Sequence, residues 1–85
     1  MTTDTDFKVY FGRVGRSLIY EDSKGSFLFS FDFAMPNGKK IVVYKTKRTG
    51  DLKPIPDDLF EADKVRIQLA FERVKEYVVS CGFQI

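Results

Sequence analysis

Apolar residues recur at every second position through much of the first half of the chain, and at every third or fourth in its last third. Period two marks a strand with one buried face, and the three-four spacing marks an amphipathic helix. FKVYFGRV at 7–14 sets Phe7, Val9 and Phe11 against Lys8, Tyr10 and Gly12, which predicts a first strand. Gly15 and Arg16 turn the chain into SLIYED, a second strand at 17–22. SKG at 23–25 is turn chemistry, and 26–34 predicts the third strand. That strand places Phe27, Phe29, Phe31 and Phe33 on one side, with Met35 next in the row. MPNG at 35–38 is a hairpin signal, because Pro36 presets a turn and Asn37-Gly38 tolerate positive φ. KKIVVYKTKR at 39–48 predicts the fourth strand.

TGDLKPIP at 49–56 is irregular, broken by Gly50, Pro54 and Pro56. One helix is expected over about 58–81, with Asp58 and Glu61 spaced as a capping box. Its apolar stripe runs through Ile67, Ala70, Phe71, Val74, Val78 and Cys81, and Gly82 supplies a left-handed stop. Residues 83–85 are a candidate short final strand or a docked end. The phenylalanine row spans about 26 Å at the rise of a strand. The helix runs about 36 Å and has the only stripe able to cover that row. A bare row would exceed the apolar patch a monomer tolerates, so the phenylalanines are assigned to the core. The expected fold is α+β: a four-stranded antiparallel meander with one long C-terminal helix packed on one face.

The opposite face is then left open. The alternation assigns it six apolar or aromatic residues: Tyr10, Leu18, Tyr20, Leu28, Val42 and Tyr44. No second helix is expected to cover them. Three readings follow: ordinary strand composition, a homodimer joined through this face, or a ligand or nucleic-acid surface. On the helix, Val65 and Leu69 lie opposite the core stripe.

The net charge of +2 says little, but its distribution is uneven. Residues 39–53 hold Lys39, Lys40, Lys45, Lys47, Arg48 and Lys53 against Asp51, and 57–63 hold Asp57, Asp58, Glu61 and Asp63 with no base. Basic residues interleaved with a tyrosine on a sheet suit single-stranded nucleic acid, whose phosphates meet charge and whose bases stack. Lysines on an edge strand also deter pairing with strangers. The order of four strands followed by a helix resembles that of a family of single-stranded-DNA-binding transcriptional coactivators. The likeness is one of element order, with no signature motif and no residue carried over.

Little here suggests catalysis. The chain has no histidine, so no base is poised near neutral pH. Cys81, the one cysteine, falls on the expected buried stripe, where it is structural; no disulfide, zinc site or cofactor is expected. GRVGRS at 12–17 lacks the ending of a phosphate loop, which leaves Arg13 and Arg16 as two guanidinium groups in a turn. Asp32 is expected to pair with Arg48 or a lysine. Residues 1–6 read as a disordered tail without signal-peptide character, and 7–85 as one domain of a cytoplasmic protein from a bacterium or phage, with no membrane partner. The expected function is a non-enzymatic interaction module, acting as a homodimer through the open sheet face on a protein partner in an adaptor, inhibitor or immunity role. Its expected contacts are Tyr10, Tyr20, Tyr44, Lys45, Lys47 and Arg48. Single-stranded nucleic acid is the alternative partner.

Overall fold

A computed structural model describes residues 6–34 and 39–85. Residues 1–5 of the expected tail, and the expected hairpin turn at 35–38 with Met35, lie outside the described residues. The strands are β1 (Phe7–Phe11), β2 (Ser17–Asp22), β3 (Gly25–Phe33) and β4 (Ile41–Arg48). They form one antiparallel sheet in the order β1-β2-β3-β4, the expected meander. Two helices follow, α1 (Asp57–Ala62) and α2 (Lys64–Ser80). No described helix is long and apolar enough to cross a membrane.

β1 is shorter than its alternation suggests. Beyond Phe11 the Gly12 amide donates to Ser17 O at 2.8 Å, and the chain turns through Gly15 at φ 57°. The two strands approach closely there: a Cβ on Gly12 would lie 2.2 Å from Ser17 Oγ, so any side chain would make Ser17 move. The single expected helix is divided at Asp63, a poor helix former whose backbone sits at φ −99°, ψ 14°. The expected capping box does not form. Pro56, fixed at φ −57°, occupies the cap position instead, and its carbonyl accepts from Phe60 N at 2.9 Å. Asp57 and Asp58 fall in the first turn, where their charge suits the helix dipole.

The phenylalanine row is core. Phe27, Phe29 and Phe31 are buried with Ile41 and Val43 beneath Ile67, Ala70, Val74 and Val78 of α2. Phe71 reaches from the helix to Phe29, with ring centroids 5.8 Å apart. Phe33, at the end of the row, is partly exposed, with the Arg16 guanidinium 5.2 Å from its ring centre. Cys81 is not on the buried stripe. The helix ends at Ser80, and Cys81 is exposed in the turn that Gly82 closes at φ 97°. The last residues do extend the sheet by a bridge: Gln84 N donates to Lys39 O and Ile41 N to Gln84 O, each at 2.7 Å.

A half-buried polar cluster fastens α2 to β2. Arg66 grips Asp22 through two bonds, at 2.5 and 3.3 Å. The Tyr20 hydroxyl donates to Asp22 Oδ2 at 3.1 Å and accepts from Arg73 at 2.9 Å. The rings of Phe7, Tyr20 and Phe27 stack across three strands, with Arg73 over Phe7 and Arg66 over Phe27. Burial alone would raise the Asp22 pKa, but the Arg66 guanidinium, the Lys24 amide and the Tyr20 hydroxyl together hold it below the usual carboxylate value.

Because the folded pKa of Asp22 is depressed, its contribution is fully present above the ordinary carboxylate pKa and is lost as pH falls through the folded value. Asp22→Asn is expected to cost about 1–3 kcal/mol near pH 7. In urea titrations the gap between variant and parent should close as pH drops below the carboxylate range. A gap independent of pH would remove the charge pair as its cause. Phe29→Ala should cost about 3–5 kcal/mol by the same measurement.

Candidate interaction surface

The pairing register decides which side chains face away from the helices. Val9 lies opposite Tyr20, and Phe11 opposite Leu18; across the next seam, Leu18 meets Phe29 and Tyr20 meets Phe27. Leu18 and Tyr20 therefore belong to the helix side, and both are fully buried, Tyr20 with 1% of its surface exposed. The expectation that they face outward is corrected by one residue: Ile19 is the apolar β2 residue on the open face, with Glu21 beside it. SLIYED carries three consecutive apolar residues, so its own alternation does not fix the phase; the neighbours in the sheet do.

The basic segment divides in a similar way. Lys45 lies opposite Phe29 and so points to the helices, where its Nζ donates to Gln68 Oε1 at 2.6 Å and sits 5.1 Å from the Phe71 ring centre. The ladder then slips, so that Leu28 pairs with Arg48, and Lys47 takes φ 56°. Lys47, on the same side as Lys45, reaches α1, 3.2 Å from Asp57 Oδ1 and 5.5 Å from the Phe60 ring centre. Arg48 returns to the open side and donates to Leu52 O at 3.3 Å. Of the six expected contact residues, Tyr10, Tyr44 and Arg48 share the open face, while Tyr20, Lys45 and Lys47 do not. Tyr10 and Tyr44 stand on opposite edge strands, so they are roughly 14 Å apart at the usual strand spacing.

That face is also less bare than expected, since the loop after β4 folds back across it. The Gly50 amide donates to Ser26 Oγ at 2.9 Å, and a Cβ on Gly50 would lie 2.7 Å from that oxygen and 3.0 Å from Ile19 Cγ2. Thr49 N to Lys53 O and Ile55 N to Lys47 O close the loop, with Leu52 at φ 68°. Between this loop and the 12–16 turn lies a depression of about 440 Å³. Ile19 and Leu28 line it with Val14 and Leu52, and Tyr10 and Arg13 border it. Arg13 makes no hydrogen bond or ion pair among the described residues. Tyr10 donates to Glu21 Oε2 at 2.6 Å, and that bond to a carboxylate raises the phenol pKa.

Sequence reasoning missed Arg13, Val14, Ile19 and Leu52 as neighbours of one hollow. Gly50 was legible as a breaker, but not as the residue whose missing side chain lets the loop lie against the sheet. Asp32 takes a partner other than those expected: Arg16, at 2.9 Å, with both side chains more than half exposed. Val65 and Leu69 are exposed on α2, as their spacing implied. Comparison with family models, with curated proteins and with solved structures found no match.

Two tyrosine substitutions separate the faces. Tyr20→Ala should cost about 3–5 kcal/mol, the range for emptying a buried aromatic site. Tyr44→Ala, with 46% of its surface exposed, should stay within about 0.5 kcal/mol. Equal losses in chemical denaturation would overturn the register described above.

Proposed function

We propose that the chain is a non-enzymatic protein-interaction module, working as a homodimer, that receives a partner's apolar side chain in the hollow of the open sheet face. The observation that carries this reading is Arg13, a guanidinium unpaired among the described residues and set beside an apolar depression. A partner that sets an aromatic or branched apolar residue beside a carboxylate would fill the hollow and neutralise the arginine. Tyr10 adds a broad ring with a polar tip, a side chain suited to such contacts. An adaptor, an inhibitor and an immunity protein all operate by contacts of this kind.

The nucleic-acid alternative has less to rest on. It needs a continuous row of rings and cations, yet Tyr20 lies in the core and Lys45 and Lys47 are engaged with the helices. Tyr44 and Arg48 remain, without the intervening ring.

Panning a random peptide library on the immobilised protein tests the reading. Enriched peptides should share an apolar residue next to Asp or Glu, and Arg13→Glu should weaken them at least about tenfold. Enrichment with no acidic preference, or binding indifferent to Arg13→Glu and Leu52→Asp, would overturn it. So would tight binding of labelled single-stranded DNA or RNA that falls steeply with salt.

A further inference from the structure

The two edges of the sheet differ in how well they are protected. The β4 edge is bridged at both ends, by Gln84 beside Ile41 and by Ile55 beside Lys47, and is interrupted by the bulge between. β1 has no proline and no bulge, and Lys8 is its one charged residue. These are the usual devices by which a protein blunts a strand edge, and β4 has them where β1 does not.

The direction of the β1 backbone groups follows from one bond. Gly12 N donates to Ser17 O, its opposite residue in the continued register, so this is a directly bonded pair. Bonded and non-bonded pairs alternate along an antiparallel ladder. Lys8, Tyr10 and Gly12 therefore turn their N–H and C=O groups toward β2. Phe7, Val9 and Phe11 turn theirs toward the free edge. Their side chains lie on the helix side, where Phe7 and Phe11 remain exposed at 37% and 39%.

We propose that two copies of this chain pair through β1, antiparallel about a two-fold axis at Val9, and merge their two sheets into one. The proposal identifies the seam of the homodimer named above and does not depend on what fills the hollow. In this register Val9 meets the partner's Val9, and Phe7 meets the partner's Phe11. The three outward residues of each copy make about six backbone hydrogen bonds, and any other in-phase register loses at least one of the three pairs. Residues opposite one another in a bonded pair are about 5.5 Å apart, close enough for Phe7 and the partner's Phe11 to join their rings.

The second copy is the occupant because the edge complements itself in charge as well. On the open side Lys8 makes no hydrogen bond or ion pair among the described residues. Across the seam it faces the partner's Tyr10, whose hydroxyl is held by a carboxylate as Tyr10 is by Glu21. A cation there meets a ring face and a negative group together. The axis stands perpendicular to the sheet, so both open faces point the same way and the two hollows flank the seam.

Light scattering and residue-resolved hydrogen exchange on the intact chain test this. A dimer is expected, with the Phe7, Val9 and Phe11 amides exchanging slowly and speeding on dilution. The Tyr10 amide, bonded to β2, should stay slow in both states. Val9→Pro removes a donor only from the seam, since that N–H points away from β2, and should weaken the dimer at least about tenfold. If that variant unfolds, Lys8→Glu at an exposed position is expected to weaken the dimer while circular dichroism stays unchanged. A monomer at high micromolar concentration would overturn both the seam and the homodimer. A dimer whose Val9 amide exchanges freely would overturn the seam alone. Peptide panning that fails while the dimer persists would strike the hollow and leave the seam standing.

Discussion

The clasp of Asp22 by Arg66, with the ring column of Phe7, Tyr20 and Phe27 beside it, is the constraint from which the rest of the molecule follows. It secures the phase that pairing with β1 and β3 gives β2. Three consecutive apolar residues leave that strand two ways to face, and the phase it takes between β1 and β3 gives Asp22 to Arg66 and Tyr20 to Arg73 of α2. With Tyr20 and Asp22 turned to the helix, Leu18 must follow and Ile19 must face out. The opposite phase would bring Ile19 and Glu21 to the helix side and lose the bonds that the Tyr20 hydroxyl makes with Asp22 and Arg73. A partly dry ion pair adds little net stability by itself, yet removing either partner is costly, so its effect is to exclude the alternative packing.

Much of the architecture was legible in the chain. The β3 pattern is unambiguous because serine, leucine and aspartate separate its phenylalanines, so only one face can be core. The meander follows from short connections between strands, and the helix stripe through Ile67, Ala70, Val74 and Val78 needed only counting. What escaped was set by residues distant in sequence. Asp63 interrupts a helix whose apolar spacing continues through the break. Cys81 keeps the stripe's spacing, but the helix ends one residue before it.

The candidate surface was harder to read than the fold for the same reason. Half of its expected members turned away: Tyr20 by the phase of β2, and Lys45 and Lys47 because they lie on the helix side of β4. Tyr10 and Tyr44 kept their places because the phases read for β1 and β4 match the register of the sheet. Arg13 and Leu52 belong to turns, and nothing local in either turn announces that the two come to border the same hollow. Their meeting depends on Gly50, which lets backbone rest directly on Ser26 and Ile19.

The slip in β4 has a consequence for chain length. Between Lys45 and Arg48 the strand spends two more residues than β3 does between Phe29 and Leu28, and because that surplus is even Arg48 keeps the open side that Tyr44 also faces. Deleting Lys47 alone would make that surplus odd, and strand alternation would then turn Arg48 to the helix side. The loop would then leave the sheet from its other face, and the hollow would lose the wall that carries Leu52. Both the division of the basic segment between two faces and the presence of a hollow therefore hang on the length of one strand, so a relative shorter by a single residue there could keep the whole core and present a different surface.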